Sequence, residues 1–158
     1  MTWTTPIYDR VLSDVTTPTA KGYFNVADWT RIYDNAAYVN AEILTNTGHT
    51  VTFTTITAPT TSIDPTTIIT KFNTLLANIE AMRLYVNLHG ASISAMTNLV
   101  YTAGAGEIAP SYIDVNQWEY ILYQIKIFTD ANMFDVYLLL EDNTSRLLLE
   151  TGDKILLE

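Results

Sequence analysis

Apolar residues recur at steps of three and four in three stretches of the chain, the spacing of one face of an α-helix. Val26, Trp29, Ile32, Tyr33, Ala36, Val39 and Ile43 form the first stripe. Asn25 before it is a good N-cap, Asp28 places a carboxylate near the positive end of the helix dipole, and Gly48 is a stop signal. The second stripe is Ile68, Phe72, Leu75, Leu76, Ile79, Met82 and Val86, with Asp64 as cap, Pro65 at the first helical position and Gly90 near the end. The third stripe, Trp118, Ile121, Leu122, Ile125 and Phe128, predicts a helix starting after Asp114.

Between the stripes the pattern changes. Residues 1–24 hold Trp3, Pro6, Pro18 and Gly22 with little periodicity and predict an extended arm packing through Trp3, Ile7 and Tyr8. Residues 49–63 are rich in Thr, with Val51, Phe53 and Ile56, and β-branched residues favour extended chain. A short helix is one reading of 91–104, followed by a turn at Gly104, Gly106 and Pro110. At the C-terminus, Leu138, Leu139, Leu140 and Glu141 are nearly copied by Leu147, Leu148, Leu149 and Glu150, and again by Ile155, Leu156, Leu157 and Glu158. Short apolar runs separated by turn residues predict a β-meander. Nothing polar alternates within a run, so both faces are expected to be buried. Three consecutive apolar residues bury poorly in a lone meander, and exposed edges invite pairing with another chain.

The expected architecture is therefore α+β: a small bundle of three main helices, an extended N-terminal arm, a Thr-rich extended segment and a C-terminal β-meander. It divides into an arm (1–24), a helical domain (25–135) and a strand segment (136–158) expected to be an assembly contact. Within the helical domain, residues 23–32 and 112–121 form an internal repeat. Tyr23, Asn25, Val26, Asp28, Trp29 and Ile32 are matched in order by Tyr112, Asp114, Val115, Gln117, Trp118 and Ile121. Asn25 and Asp114 would each accept from free N–H groups of a first turn, and Trp29 and Trp118 would enter the core one turn later. A duplicated helical unit packed around paired tryptophans is the expectation, against the plainer alternative of two common caps.

The same residues carry a resemblance. Trp3, Pro6 and Asp9, then Tyr23 to Ile32 and Asn35, are similar to a Trp-Pro arm and helix start found in tail and baseplate-region structural proteins of bacteriophages and prophages. Residues 112–119 resemble a second use of that start, and the Leu-Leu-Leu-Glu tail resembles segments common in phage structural proteins. Residues 49–105 lie outside the resemblance. Trp29 and Trp118 depart from it, standing where the family has a smaller apolar residue, and Tyr33 stands where it has Glu. The resemblance implies a virion structural subunit, assembled in a host cytoplasm, that binds copies of itself and other phage structural proteins. A head fibre or capsid decoration protein is a second reading. A carbohydrate- or receptor-binding module that stacks exposed Tyr or Trp on a host-surface glycan is a third.

Composition narrows the chemistry. The chain of 158 residues can bury one ordinary core, and 48% of it is hydrophobic. Charged residues are only 16%, with Thr, Asn and Tyr in their place, which points to surface covered by copies or partners. Against 17 acidic residues stand 8 Lys and Arg, unclustered, so nucleic-acid binding is not expected. With no Cys, disulfides and thiolate chemistry are excluded. No apolar run nears the roughly 18 residues that span a bilayer, and the N-terminus does not read as a signal peptide.

No catalytic set, cofactor or metal site is expected. His49 and His89 are the only histidines, and a metal needs three or four convergent ligands. Gly104-Ala105-Gly106-Glu107-Ile108-Ala109 matches a loose dinucleotide pattern but is followed by Pro110 rather than opening a helix. Glu141, Glu150 and Glu158 with Asp142 and Asp153 suit calcium chemically, yet read more simply as solvated strand ends. The residues singled out for structure and assembly are Asn25, Trp29, Asp114, Trp118 and the nine apolar residues of the three tail runs.

Overall fold

A computed structural model of the chain describes residues 2–17, 21, 24–57, 65–101, 110–131, 137–139 and 146–148. Its elements in order are α1 (Leu12–Thr16), α2 (Val26–Thr47), α3 (Pro65–Leu88), α4 (Tyr112–Asp130), β1 (Tyr137–Leu139) and β2 (Arg146–Leu148). The three long helices pack on one another, α4 against both α2 and α3.

The architecture is helical rather than α+β. Among the described residues the strand pairing is a minimal antiparallel hairpin, Tyr137 opposite Leu148 and Leu139 opposite Arg146, and no meander is formed. A two-stranded hairpin this short is not an independent layer. Runs of Leu suit helices and strands alike, so apolar runs and turn residues could not establish a meander. The run 155–157 and residues Leu140 and Leu149 lie outside the described residues.

The helical periodicity reads the core well. Trp29, Ile32, Ala36, Val39 and Ile43 of α2, Phe72, Leu75, Leu76, Ile79, Met82 and Val86 of α3, and Trp118, Ile121, Leu122, Ile125 and Phe128 of α4 are buried in one cluster. Asn25 caps α2, its side chain accepting from the amides of Ala27 and Asp28, and Gly48 ends it at φ 69°, where a side chain would be strained. The Asp64 cap lies outside the described residues.

Three elements differ from expectation. α4 begins three residues early: Ser111 is the cap and Asp114 the third residue of the first turn. Asp114 Oδ2 accepts from the Ser111 amide (2.8 Å) and hydroxyl (2.6 Å), and Ser111 Oγ accepts from the Asp114 amide (3.3 Å). A Ser with an acid three residues on closes a capping box, which satisfies more free groups than a lone Asp. Residues 91–101 form neither helix nor strand and bury Ile93, Met96 and Tyr101. The arm, expected to be extended, holds the short helix α1, and it buries Pro6 and Arg10 while Tyr8 is 38% exposed.

Candidate functional site

Charged side chains from the arm and two helices meet inside the protein. Arg10 (arm), Asp28 (α2) and Glu119 (α4) are 4%, 5% and 0% exposed. Arg31, one turn beyond Asp28, completes a set of two guanidinium groups and two carboxylates. Arg31 Nε donates to Glu119 Oε2 at 3.0 Å, and its Nη2 donates to Glu119 Oε1 at 2.7 Å and to Asp28 Oδ1 at 2.6 Å. Arg10 Nη2 reaches Glu119 Oε1 at 3.0 Å and Asp28 Oδ1 at 3.2 Å. Of the other Arg10 donors, Nε goes to the Lys21 carbonyl, and Nη1 to the Ile7 carbonyl and, at 3.4 Å, to Asn116 Oδ1. The Ile7 amide donates to Glu119 Oε2 at 2.6 Å.

Taking such ions out of water costs several kcal/mol each unless charge and hydrogen bonds are both matched. Here both are. Burial works against the Arg31 charge, but the bonds to Glu119 and Asp28 outweigh it and hold its pKa above the ordinary value. The formal charges within the set cancel, and both carboxylates are neutralised by guanidinium groups fixed in place.

A second pattern repeats around the molecule. Helix-borne asparagines pair with extended backbone, each accepting the N–H and donating to the C=O of one residue. Asn35 holds Thr4 in this way (2.9 and 2.8 Å). Asn116 holds Arg10 (3.2 and 2.8 Å). Asn78 holds Thr54 (2.8 and 2.9 Å), and Asn73 holds Tyr101 (2.8 and 2.9 Å). Asn87 holds Ile93 (3.0 and 2.9 Å). An extended segment with no strand beside it leaves polar backbone groups to satisfy, and an amide side chain offers one donor and one acceptor in the geometry of a neighbouring strand. The arm, 49–57 and 91–101 are all fastened by this device. Tyr33 has a similar use: its hydroxyl accepts from the Ile56 amide at 3.3 Å, and its ring packs on Phe53.

The predicted residues are placed as follows. Trp29 and Trp118 are fully buried and both contact Phe72 of α3, at ring-centroid distances of 5.1 and 5.6 Å. Phe72 thus lies between the two tryptophans, and Tyr101 closes edge-on against Trp118. Asn25 caps the helix that carries Trp29. Asp114, besides its role in the α4 cap, accepts from Asn98 Nδ2 at 2.8 Å. Burial alone would raise the Asp114 pKa, but hydrogen bonds from Ser111 and Asn98 hold it below the ordinary carboxylate value. Leu138, Leu139, Leu147 and Leu148 lie in the hairpin, apart from this cluster in the chain.

Arg31, Asn35, Asn116 and Glu119 lie within the motifs singled out in the sequence, but neither they nor Arg10, Asn73, Asn78 and Asn87 were given these roles. A signal existed for both groups. Glu119 directly follows Trp118 in an apolar helix, and Asn is a poor helix residue, yet Asn35, Asn73, Asn78 and Asn116 lie within the long helices and Asn87 in the last turn of α3.

His49 stacks on Tyr85 (4.8 Å, interplanar 4°), and His89 lies on the same ring at 4.6 Å. Among the described residues, no group of three or more His, Asp or Glu is placed to hold a metal, and no helix is long and apolar enough to cross a membrane. On the outside, Tyr8 contacts Tyr120 and Tyr123 at 5.3 and 5.5 Å. These α4 tyrosines border an open groove of about 400 Å³ that also includes Ser92, Ile93, Gln124 and Ile127. Comparison of the chain with protein-family models, with curated proteins and with solved structures gives no match.

Proposed function

We propose that this protein is a non-enzymatic structural subunit of a bacteriophage particle, in the tail or baseplate region, that assembles with itself and with neighbouring virion proteins. The observation that favours such a role is the use of its polar side chains. The buried ions neutralise one another, and five helix-borne asparagines bind the chain's own extended segments. Such groups hold a shape and leave little for substrate chemistry. The likeness of the arm and the repeated helix start to phage tail and baseplate proteins supports the same reading.

In this reading the tail, residues 136–158, is a principal contact between subunits. Its described part is a hairpin of three-residue strands, which is marginal alone and gains from a further strand. The test is twofold. Antiserum against the chain should label one region of purified particles, and particle proteins should contain its peptides. The chain lacking 136–158 should stay soluble and fail to assemble. A protein absent from particles, or a shortened chain that assembles normally, contradicts the proposal.

A head fibre or capsid decoration protein is the same reading at another position, and the labelling distinguishes them. A second class, binding of a host-surface glycan, is favoured by one observation: Tyr8, Tyr120 and Tyr123 cluster beside the groove, and aromatic faces stack on sugar rings. Saturation-transfer NMR with neutral oligosaccharides, on the intact chain and on Tyr120→Ala, tests it. Transfer lost in the variant favours the glycan reading, and absence of transfer removes it.

A further inference from the structure

The N-terminal segment is tied to itself and docks as a unit. Within residues 2–21, Lys21 Nζ pairs with Asp9 at 2.8 Å, the Lys21 carbonyl accepts from Arg10 Nε at 3.0 Å, and the Val11 amide donates to Asp14 at 2.9 Å. α1 buries no residue of its own. Among the described residues, bonds from the segment reach α2 and α4: Thr4 to Asn35, Ile7 to Glu119, and Arg10 to Asn116, Asp28 and Glu119. Only Gly22 and Tyr23 separate Lys21 from Phe24, whose ring packs on Phe72 of the core at 5.5 Å.

Without this unit the site keeps its Arg31 pairs but carries one net negative charge, two carboxylates against one guanidinium group. Without Arg10, Glu119 keeps its two-point pair with Arg31, and Asp28 keeps its bond to Arg31 at 2.6 Å. What the vacated site would offer is the Asn35 and Asn116 amides, matched to extended backbone, and two carboxylates matched to one more guanidinium group. A second copy of the chain carries that same segment.

We propose that the arm-docking site on α2 and α4 is an interaction surface for a second copy, occupied by its residues 2–21 in exchange for the chain's own. Exchange of an identical element makes an interface from contacts that already exist within one chain, so no new complementarity has to be built. It rests on the reading of the protein as an assembly subunit and names the partner and the surface.

The experiment uses the full chain with a photoreactive benzophenone amino acid at Tyr8, which is exposed yet touches Tyr120 and Tyr123. It is mixed with a copy bearing a tag of different length and irradiated over a range of concentrations. Exchange predicts covalent heterodimers, with the crosslink in the α4 peptide of the other copy, that increase with concentration. An Arg10→Ala copy, whose own arm is held less firmly, should as acceptor give severalfold more heterodimer than the unaltered copy. No gain with that acceptor means that the tyrosine faces merely touch, and the proposal fails. Crosslinks confined within chains, in material that still oligomerises, overturn exchange and leave the assembly reading standing. A chain that is monomeric at every concentration and crosslinks only to itself overturns both.

Discussion

Arg31 grips Glu119 with two side-by-side hydrogen bonds, Nε to Oε2 at 3.0 Å and Nη2 to Oε1 at 2.7 Å, inside a protein in which Glu119 is fully buried. Paired in this way, α2 and α4 are joined by a charge contact that both helices depend on. Glu119→Ala leaves one buried and one partly buried guanidinium group without their shared carboxylate and should cost about 3–5 kcal/mol. Arg10→Ala leaves Glu119 still paired and should cost less, about 1–3 kcal/mol. Urea unfolding midpoints measure both. Hydrogen exchange should show residues 4–10 losing protection in the Arg10 variant while α2 and α4 keep theirs.

Asn78 and Thr54 isolate the backbone-pairing device. Asn78→Asp retains an acceptor for the Thr54 amide but has no N–H for the Thr54 carbonyl, and Asn78→Ala lacks both. Each of these partly buried hydrogen bonds is worth about 0.5–1.5 kcal/mol, so both variants should be destabilised. The Thr54 amide should exchange faster in the Ala variant. Equal stability of the Ala variant and the parent would mean that water replaces the asparagine without loss.

Asp114 predicts a pH dependence. Its folded pKa lies below the ordinary value, so folding favours the charged form. The stabilisation is present above the unfolded-state value of about 4 and is lost as pH falls through the lower folded value. Asp114→Asn removes that contribution. The stability gap between parent and variant should therefore be widest near neutral pH and should narrow in acid, as read from denaturation midpoints at several pH values. A gap that is constant with pH would contradict the assignment.

Phe72 tests the centre of the core. Its ring lies between Trp29 and Trp118, so Phe72→Ala opens a cavity against both indoles and should cost about 3–5 kcal/mol. In the parent chain, iodide should quench Trp3, which is only partly buried, and leave Trp29 and Trp118 protected. In the variant the protected emission should shift to longer wavelength.

The helical stripes were legible because burial repeats every three or four residues whatever the partner is, and the stripes around Trp29, Phe72 and Trp118 needed no knowledge of their neighbours. The cap of α2 was legible for the same local reason. The start of α4 was also written locally, in Ser111 and Asp114, but the match between the two tryptophan motifs drew attention three residues too late. The sequence by itself therefore determined which faces are buried and most of where the long helices run. Only the tertiary structure decided which polar residues matter. Arg10 and Glu119 are far apart in the chain, and the place of Glu119 beside Trp118 hints at burial without naming the partner. The asparagines of α2, α3 and α4 find their meaning only when an extended segment lies across them, since a hydrogen bond needs its partner in place while an apolar face needs only to leave water.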